Sequence, residues 1–176
     1  MNNVFDESGL RFDFSSCGVA DRFDIETNHG MKAVDFIVEG DTYTYFIEVK
    51  NFQHPNAPQK SREDDYRMLV EAGTAKKAIF ALEMGEKIKD SLLRQYALGG
   101  KFTKKVVYIL FIHLDKLAPR ERGRLMEKIS GHVPMGLNKE QFGKFTELTF
   151  DLVDTGELAN NYRITCADLT QSDVVD

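Results

Sequence analysis

Two short runs in the first third of the chain alternate side chains with period two. They are Ala-Val-Asp-Phe-Ile-Val-Glu (33–39) and Tyr-Thr-Tyr-Phe-Ile-Glu-Val-Lys (43–50), joined by Gly40-Asp41. Both are rich in β-branched and aromatic residues, and a Gly-Asp step is a hairpin turn signal, so the pattern predicts two paired antiparallel strands. A two-residue turn at Gly40-Asp41 pairs Glu39 with Thr42, Val38 with Tyr43, Phe36 with Tyr45 and Val34 with Ile47. Because strand faces alternate, this register gathers Val34, Phe36, Val38, Tyr43, Tyr45, Ile47 and Val49 on one apolar side. The opposite side collects Asp35, Phe46, Glu48 and Lys50, with Asp35 across from Phe46 and diagonal to Glu48, roughly 7–8 Å away at the backbone. A three-residue turn would flip one strand and destroy both the apolar face and the acid pair.

The remaining pattern predicts an α/β (α+β) fold. Leu10–Phe14 and Arg22–Glu26 are two β-like pieces around a small-residue turn at Ser16–Gly18, and with the hairpin they give an N-terminal antiparallel meander. Gln53 to Lys60, with Pro55 and Pro58, cannot continue a strand and reads as an exposed loop. Ser61 then resembles an N-cap, with Glu63, Asp64 and Asp65 in the first turn, and the helix runs to Ala72 before Gly73. A second helix is predicted over Ala75–Leu98, interrupted and kinked at Gly85 and ended by Gly99-Gly100. Lys104–Leu114 contains the unbroken run Val-Val-Tyr-Ile-Leu-Phe-Ile and reads as a central strand buried on both faces. Pro119 opens a helix reaching His132, with Leu125, Met126 and Ile129 inward. Strands near Glu147–Val153 and Tyr162–Cys166 follow. The expectation is a mixed central sheet flanked by helices, one domain over residues 1–170, and a frayed tail over 171–176.

Composition changes this picture only at two points. With 176 residues, 42% hydrophobic and 29% charged, the chain has the makeup of a soluble globular domain able to bury a core without staples. No apolar run reaches membrane-spanning length and no signal peptide is expected, while Cys17 and Cys166 form no CxxC pair and read as reduced thiols of a cytoplasmic protein. The net charge of −5 argues against a protein that coats nucleic acid non-specifically, since that affinity comes from Lys and Arg neutralising phosphates. It leaves room for a local basic cleft.

Asp35, a spacer holding a hairpin turn, then Glu48-Val49-Lys50, followed by helix and an apolar strand, resembles the PD-(D/E)xK phosphodiesterase superfamily, the restriction-endonuclease-like nucleases. The resemblance covers roughly residues 20–114 and rests on the β-β-α-β order as much as on the short motif; Val34 stands where the family's name has proline. It implies a restriction-endonuclease-like core and metal-dependent hydrolysis of phosphodiester bonds in DNA or RNA, with Mg²⁺ or Mn²⁺ as cofactor. Asp35, Glu48 and the carbonyl of Val49 are then the metal ligands, with Glu7 the candidate for a further acid and Asp24 and Glu26 behind it. The chemistry accounts for the residue types. A hard cation neutralises developing charge and lowers the pKa of an attacking water, and Mg²⁺ takes one or two carboxylates while retaining waters. Lys50 is placed to orient or deprotonate that water and to offset the phosphorane's charge. The other reading of the same residues is a salt-bridge cluster on a half-solvated face, in a degenerate member kept as a binding or scaffolding module.

Further candidates are weaker. Arg120, Arg124 and Lys128, spaced i, i+4, i+8 with Arg122 and Lys116 nearby, form either a phosphate-tracking stripe or a solvated helix face. Lys101, Lys104 and Lys105 form a second basic knot of the same two readings. His29 and His54 lie in loops near the proposed acids, and His113 ends the central strand, with no HxxxH or HxH metal spacing among them. No Gly-rich phosphate loop or nucleophile elbow supports a kinase, Rossmann or hydrolase reading. Nucleic acid is the expected partner, no membrane is, and a protein partner or homo-oligomer stays open.

Overall fold

The computed structural model describes residues 3–24, 30–54, 56–71, 75–114, 117–136 and 147–169. The elements run β1 (Val4–Glu7), β2 (Leu10–Asp13), β3 (Val19–Arg22), β4 (Phe36–Glu39), β5 (Tyr43–Asn51), α1 (Gln59–Val70), α2 (Ala75–Ala97), β6 (Lys105–His113), α3 (Pro119–Ser130), β7 (Leu148–Val153), α4 (Thr155–Tyr162) and β8 (Thr165–Asp168). A five-stranded mixed sheet has the order β3-β4-β5-β6-β7, and β1-β2-β8 make a second, antiparallel sheet. The fold is therefore mixed α/β, as the element order predicts.

The alternation of β6 divides the interior. Val106, Tyr108, Leu110 and Ile112 point to one side, into a cluster with Phe80, Met84 and Ile88 of α2 and Leu125 and Ile129 of α3. Val107, Ile109 and Phe111 point to the other side and join Leu10, Phe12 and Phe14 under the small sheet and Leu158 of α4. The large sheet is thus covered on both faces, which is why its central strand reads as a continuous apolar run. The β5–β6 and β6–β7 pairings are parallel and need crossovers, which α1–α2 and α3 supply. Among the described residues no helix is long and apolar enough to cross a membrane.

The hairpin differs from expectation by an even number of residues. Glu39 pairs with Thr44, Val38 with Tyr45 and Phe36 with Ile47, so the loop is Gly40–Tyr43, closed by the Gly40 amide on the Tyr43 carbonyl at 3.0 Å. A shift of two leaves every strand residue on its predicted face, whereas a shift of one would invert them. Val34 is the exception. It precedes the ladder, its amide donates to Ser91 Oγ of α2 at 2.9 Å, and its side chain packs on the helix side.

Other corrections follow local chemistry. Leu10–Phe14 does not join the meander; β2 pairs with β1 and β8 instead, and the strand expected at Arg22–Glu26 lies earlier, at Val19–Arg22. The β1–β2 hairpin turns at Ser8-Gly9, both with positive φ (51° and 79°), as a two-residue turn matched to strand twist requires. α1 starts at Gln59 behind Pro58 rather than at Ser61, so Glu63, Asp64 and Asp65 sit mid-helix. α4 was not expected, although Asp154 and Glu157 cap it reciprocally: the Asp154 carboxylate accepts from the Glu157 amide at 2.9 Å and Glu157 accepts from the Asp154 amide at 3.1 Å. The last strand correspondingly moves to Thr165–Asp168. Gly73 and the expected 171–176 tail lie outside the described residues.

Gly85 does not interrupt α2, which is continuous over Ala75–Ala97. It admits the chain after α3: a Cβ at Gly85 would sit 2.5 Å from His132 Cβ and 2.7 Å from its carbonyl oxygen. Glycine to alanine inside a helix ordinarily stabilises by up to about 1 kcal/mol, but overpacking against backbone costs about 1–3 kcal/mol. Gly85→Ala is therefore expected to lower stability in urea unfolding, and a stabilised variant would contradict this packing.

Candidate active site on strands β4 and β5

The helix-facing side of β5 presents Phe46, Glu48 and Lys50, as the period-two pattern requires. Glu48 is fully buried. Its Oε1 meets two ammonium groups, Lys50 Nζ and Lys87 Nζ, each at 2.6 Å. Lys87 arrives from α2. Glu48 Oε2 is buried and, among the described residues, has no hydrogen-bond partner.

Asp35 is brought beside this pair. The β4–β5 ladder ends at Phe36–Ile47, and Asp35 Oδ2 takes the next β5 amide that faces β4, that of Val49, at 2.6 Å. A strand residue in an antiparallel pairing sends its carbonyl to the same side as its amide, so the Val49 carbonyl leaves β5 on the Asp35 side. Asp35 is 7% exposed. Burial pushes its carboxyl up to about 7 and the Glu48 charge adds to the rise, while Lys87 and the Val49 amide oppose it. For Lys50, burial acts to lower the ammonium's pKa, but the Glu48, Asp35 and Glu83 carboxylates outweigh it and hold the value above the ordinary one. Lys50 is therefore a cation here, suited to orienting water and offsetting charge and unsuited to accepting a proton.

The floor of the site is polar in an ordered way. Tyr108, fully buried on β6, donates its hydroxyl to the Met84 carbonyl of α2 at 3.1 Å. Burial drives its pKa well up, with Glu48 and Asp35 adding to the effect. Met84, Lys87 and Ser91 follow the i, i+3, i+7 spacing of one helix face. Lys87 and Ser91 are thus polar interruptions of an inward stripe that includes Phe80, Ile88 and Leu92. That interruption was the available sequence signal for Lys87, which motif reasoning overlooked.

The other predicted residues are distributed elsewhere. Glu7 ends β1, where Arg22 Nη1 and Ser8 Oγ hold its carboxylate; its charge contributes least among the influences on Asp35. Asp24 lies 3.9 Å from the same Arg22. Glu26, His29 and Lys116 lie outside the described residues. On α3, Arg120 and Arg124 are exposed and Lys128 half-buried, with Arg124 and Lys128 acting on the Lys77 ammonium of α2. Arg122 instead ties α3 to the β7–α4 junction through the Leu152 carbonyl and Glu157. Lys104 serves Glu39 and the Gly40 carbonyl, Lys105 pairs with Glu147, and Lys101 is exposed. His54 Nδ1 accepts the Asn56 amide at 3.2 Å within its own turn. His113 sits between Thr155 and Asp168, each at 3.4 Å.

No family model, no curated protein and no solved structure matches the chain.

The raised Asp35 value has a signed consequence. Between about pH 4 and 7 the folded protein holds a proton at Asp35 that the unfolded chain has released, so stability falls as pH rises through that window. The full effect is about 4 kcal/mol. Asp35→Asn keeps an acceptor for the Val49 amide and removes the titration. Urea unfolding at pH 5 and pH 8 is expected to show wild type losing stability relative to Asp35→Asn at the higher pH; parallel behaviour would refute the buried acid.

Proposed function

We propose that the protein is a metal-dependent nuclease that hydrolyses phosphodiester bonds, with Asp35, Glu48, Lys50 and Lys87 as its working side chains. The observation carrying this reading is the buried Glu48 Oε2 without a partner, beside a second carboxylate whose ionisation Glu48 opposes. Two carboxylates held this way favour either a proton or a cation between them. Their donor set fits a hard cation of the Mg²⁺ or Mn²⁺ type, which accepts one or two carboxylates and keeps most of its waters. Asp35, Glu48 and the Val49 carbonyl would hold it. Among the described residues no cluster of three or more His, Cys, Asp or Glu side chains is formed, and the Glu7 carboxylate is engaged by Arg22 and Ser8.

When bound, the cation supplies a water of lowered pKa and neutralises charge on the phosphate. The chain's own contribution is electrostatic and positional. Lys50 keeps its proton and presents an ammonium to a developing phosphorane, an interaction strongest in a site shielded from solvent. Lys87 fixes Glu48 Oε1, leaving Oε2 as the free donor. The sequence resemblance of residues 20–114 to the restriction-endonuclease-like nucleases supports the same reading, since its two acids lie at the adjacent strands β4 and β5 of a β-β-α-β order.

A second reading has its own observation. Asp35 already accepts the Val49 amide, and two lysines already meet Glu48 Oε1, so the group also fits the polar core of a catalytically degenerate binding or scaffolding module. Turnover separates the two. Cleavage of single-stranded DNA, duplex DNA and RNA with Mn²⁺ and with EDTA, together with calorimetric Mn²⁺ titration, is expected to show metal-dependent activity. Lys50→Ala should retain most metal affinity and lose on the order of 10²–10⁴ in rate. Asp35→Ala and Glu48→Gln should lose both. A wild type that neither binds Mn²⁺ nor cleaves any substrate would leave the degenerate module.

A further inference from the structure

One exposed side of α1 is polar throughout. Gln59, Arg62, Glu63, Tyr66 and Arg67 follow the i, i+3, i+4, i+7, i+8 spacing that ordinarily carries a helix's apolar face onto a core. Here the stripe is polar and lines an open groove of about 990 Å³, whose other wall is Phe52, Gln53 and Leu114 of the chain leaving β5 and β6. Leu69 is the one buried residue of α1, and Lys77 Nζ secures that end by donating to the Leu69 carbonyl at 2.7 Å. The helix is thus anchored near its C-terminus.

The groove is lined by neither acid; what relates it to them is its place along β5. It opens at the C-terminal ends of two adjacent parallel strands, where open α/β sheets bind ligands. Phe52, on its wall, lies two residues beyond Lys50, about 6.6 Å along the strand, and shares the helix-side core with Phe46. Among the described residues neither the Arg62 nor the Arg67 guanidinium has an acidic partner, and the nearby Glu63 is engaged by Gln59 Nε2 at 3.0 Å. Between the two cations Tyr66 is 38% exposed. Five helical positions separate the arginines, about 7.5 Å along the axis and about 140° around it, so they flank Tyr66 from the two edges of the stripe.

We propose that this groove binds an unpaired polynucleotide strand, with phosphates on Arg62 and Arg67 and a base stacked on Tyr66, and leads its backbone to Glu48 and Lys50; the proposal rests on the nuclease reading above and names its substrate class. An exposed tyrosine offers its face only to a base that has left a duplex stack. A duplex tracked along its backbone demands many phosphate contacts. A chain of net charge −5 with two arginines in one groove supplies few.

The test is fluorescence anisotropy in EDTA with a labelled 12-nucleotide DNA, the same sequence as RNA, and the corresponding duplex. Wild type is expected to bind a single strand at least tenfold more tightly than the duplex. Arg62→Ala/Arg67→Ala should weaken binding and make the slope of log affinity against log salt shallower by about 1.4. Tyr66→Ala should weaken it roughly 5–100-fold. Lys76→Ala/Lys89→Ala, which removes equal charge from α2, should bind as wild type, and circular dichroism should show unchanged helix content in all variants. Equal affinity for duplex, unchanged affinity and salt slope in the arginine variant, or no binding of any strand would each overturn the groove. Arginine-dependent binding with no cleavage in Mn²⁺ would overturn the catalytic reading and leave the groove standing. Cleavage indifferent to Arg62 and Arg67 would do the reverse.

Discussion

A carboxylate with no solvent exposure, Glu48, sits on a central strand of the large sheet. A buried charge is tolerated only when it is paired and hydrogen-bonded, and removing one partner of such a pair costs about 3–5 kcal/mol. Lys50 comes from the same strand, but Lys87 comes from α2, so neutralising Glu48 fixes where that helix lies over the sheet. Two neutral bonds reinforce the placement, from the Val34 amide to Ser91 Oγ and from the Tyr108 hydroxyl to the Met84 carbonyl. α2 also packs Phe80, Met84, Ile88 and Leu92 into the helix-side core, and these three polar ties are directional where those apolar contacts are not.

The two acids are treated unequally. Glu48 has two cations on one oxygen; Asp35 has an amide and the field of its neighbour. Burial and the Glu48 charge push the Asp35 carboxyl up, so the two carboxylates stand in different environments. The same inequality makes Asp35 the responsive member, neutral or charged according to what lies between it and Glu48.

Much of this was legible in the sequence because strands announce their faces. The acid and lysine positions on β5, the central strand β6, the extent of α2 and the proline start of α3 all follow from periodicity and end signals. The failures have physical causes. Lys87 lies in a helix 39 residues from Glu48, and no local pattern shows which helix face will meet which strand. Ile79, Leu82 and Tyr96 of α2 are exposed although apolar, whereas Lys77 and Ser91 are buried, so polarity misreports the inward stripe there. The pairing of β2 with β8 brings together residues some 150 positions apart, and only the closing of the fold reveals that a second sheet exists. The missed α4 and β1 are different: Asp154–Glu157 and Ser8-Gly9 are local signals, present in the chain and passed over because the flanking segments are short.

The β4–β5 loop shows how a structure tolerates error of one kind and not another. Gly40–Tyr43 holds two residues more than the tightest hairpin would, yet Asp35, Glu48 and Lys50 face the same way in either register. The alternation of a strand is a parity rule, and a parity rule is blind to even changes. Loop lengths that differ by two are interchangeable as far as the acids are concerned, while a single inserted residue would send one strand's charges into the phenylalanine-rich cluster beneath the small sheet. Length variation at this tip is accordingly quantised in pairs, a restriction imposed by a site that begins one residue beyond the other end of the ladder.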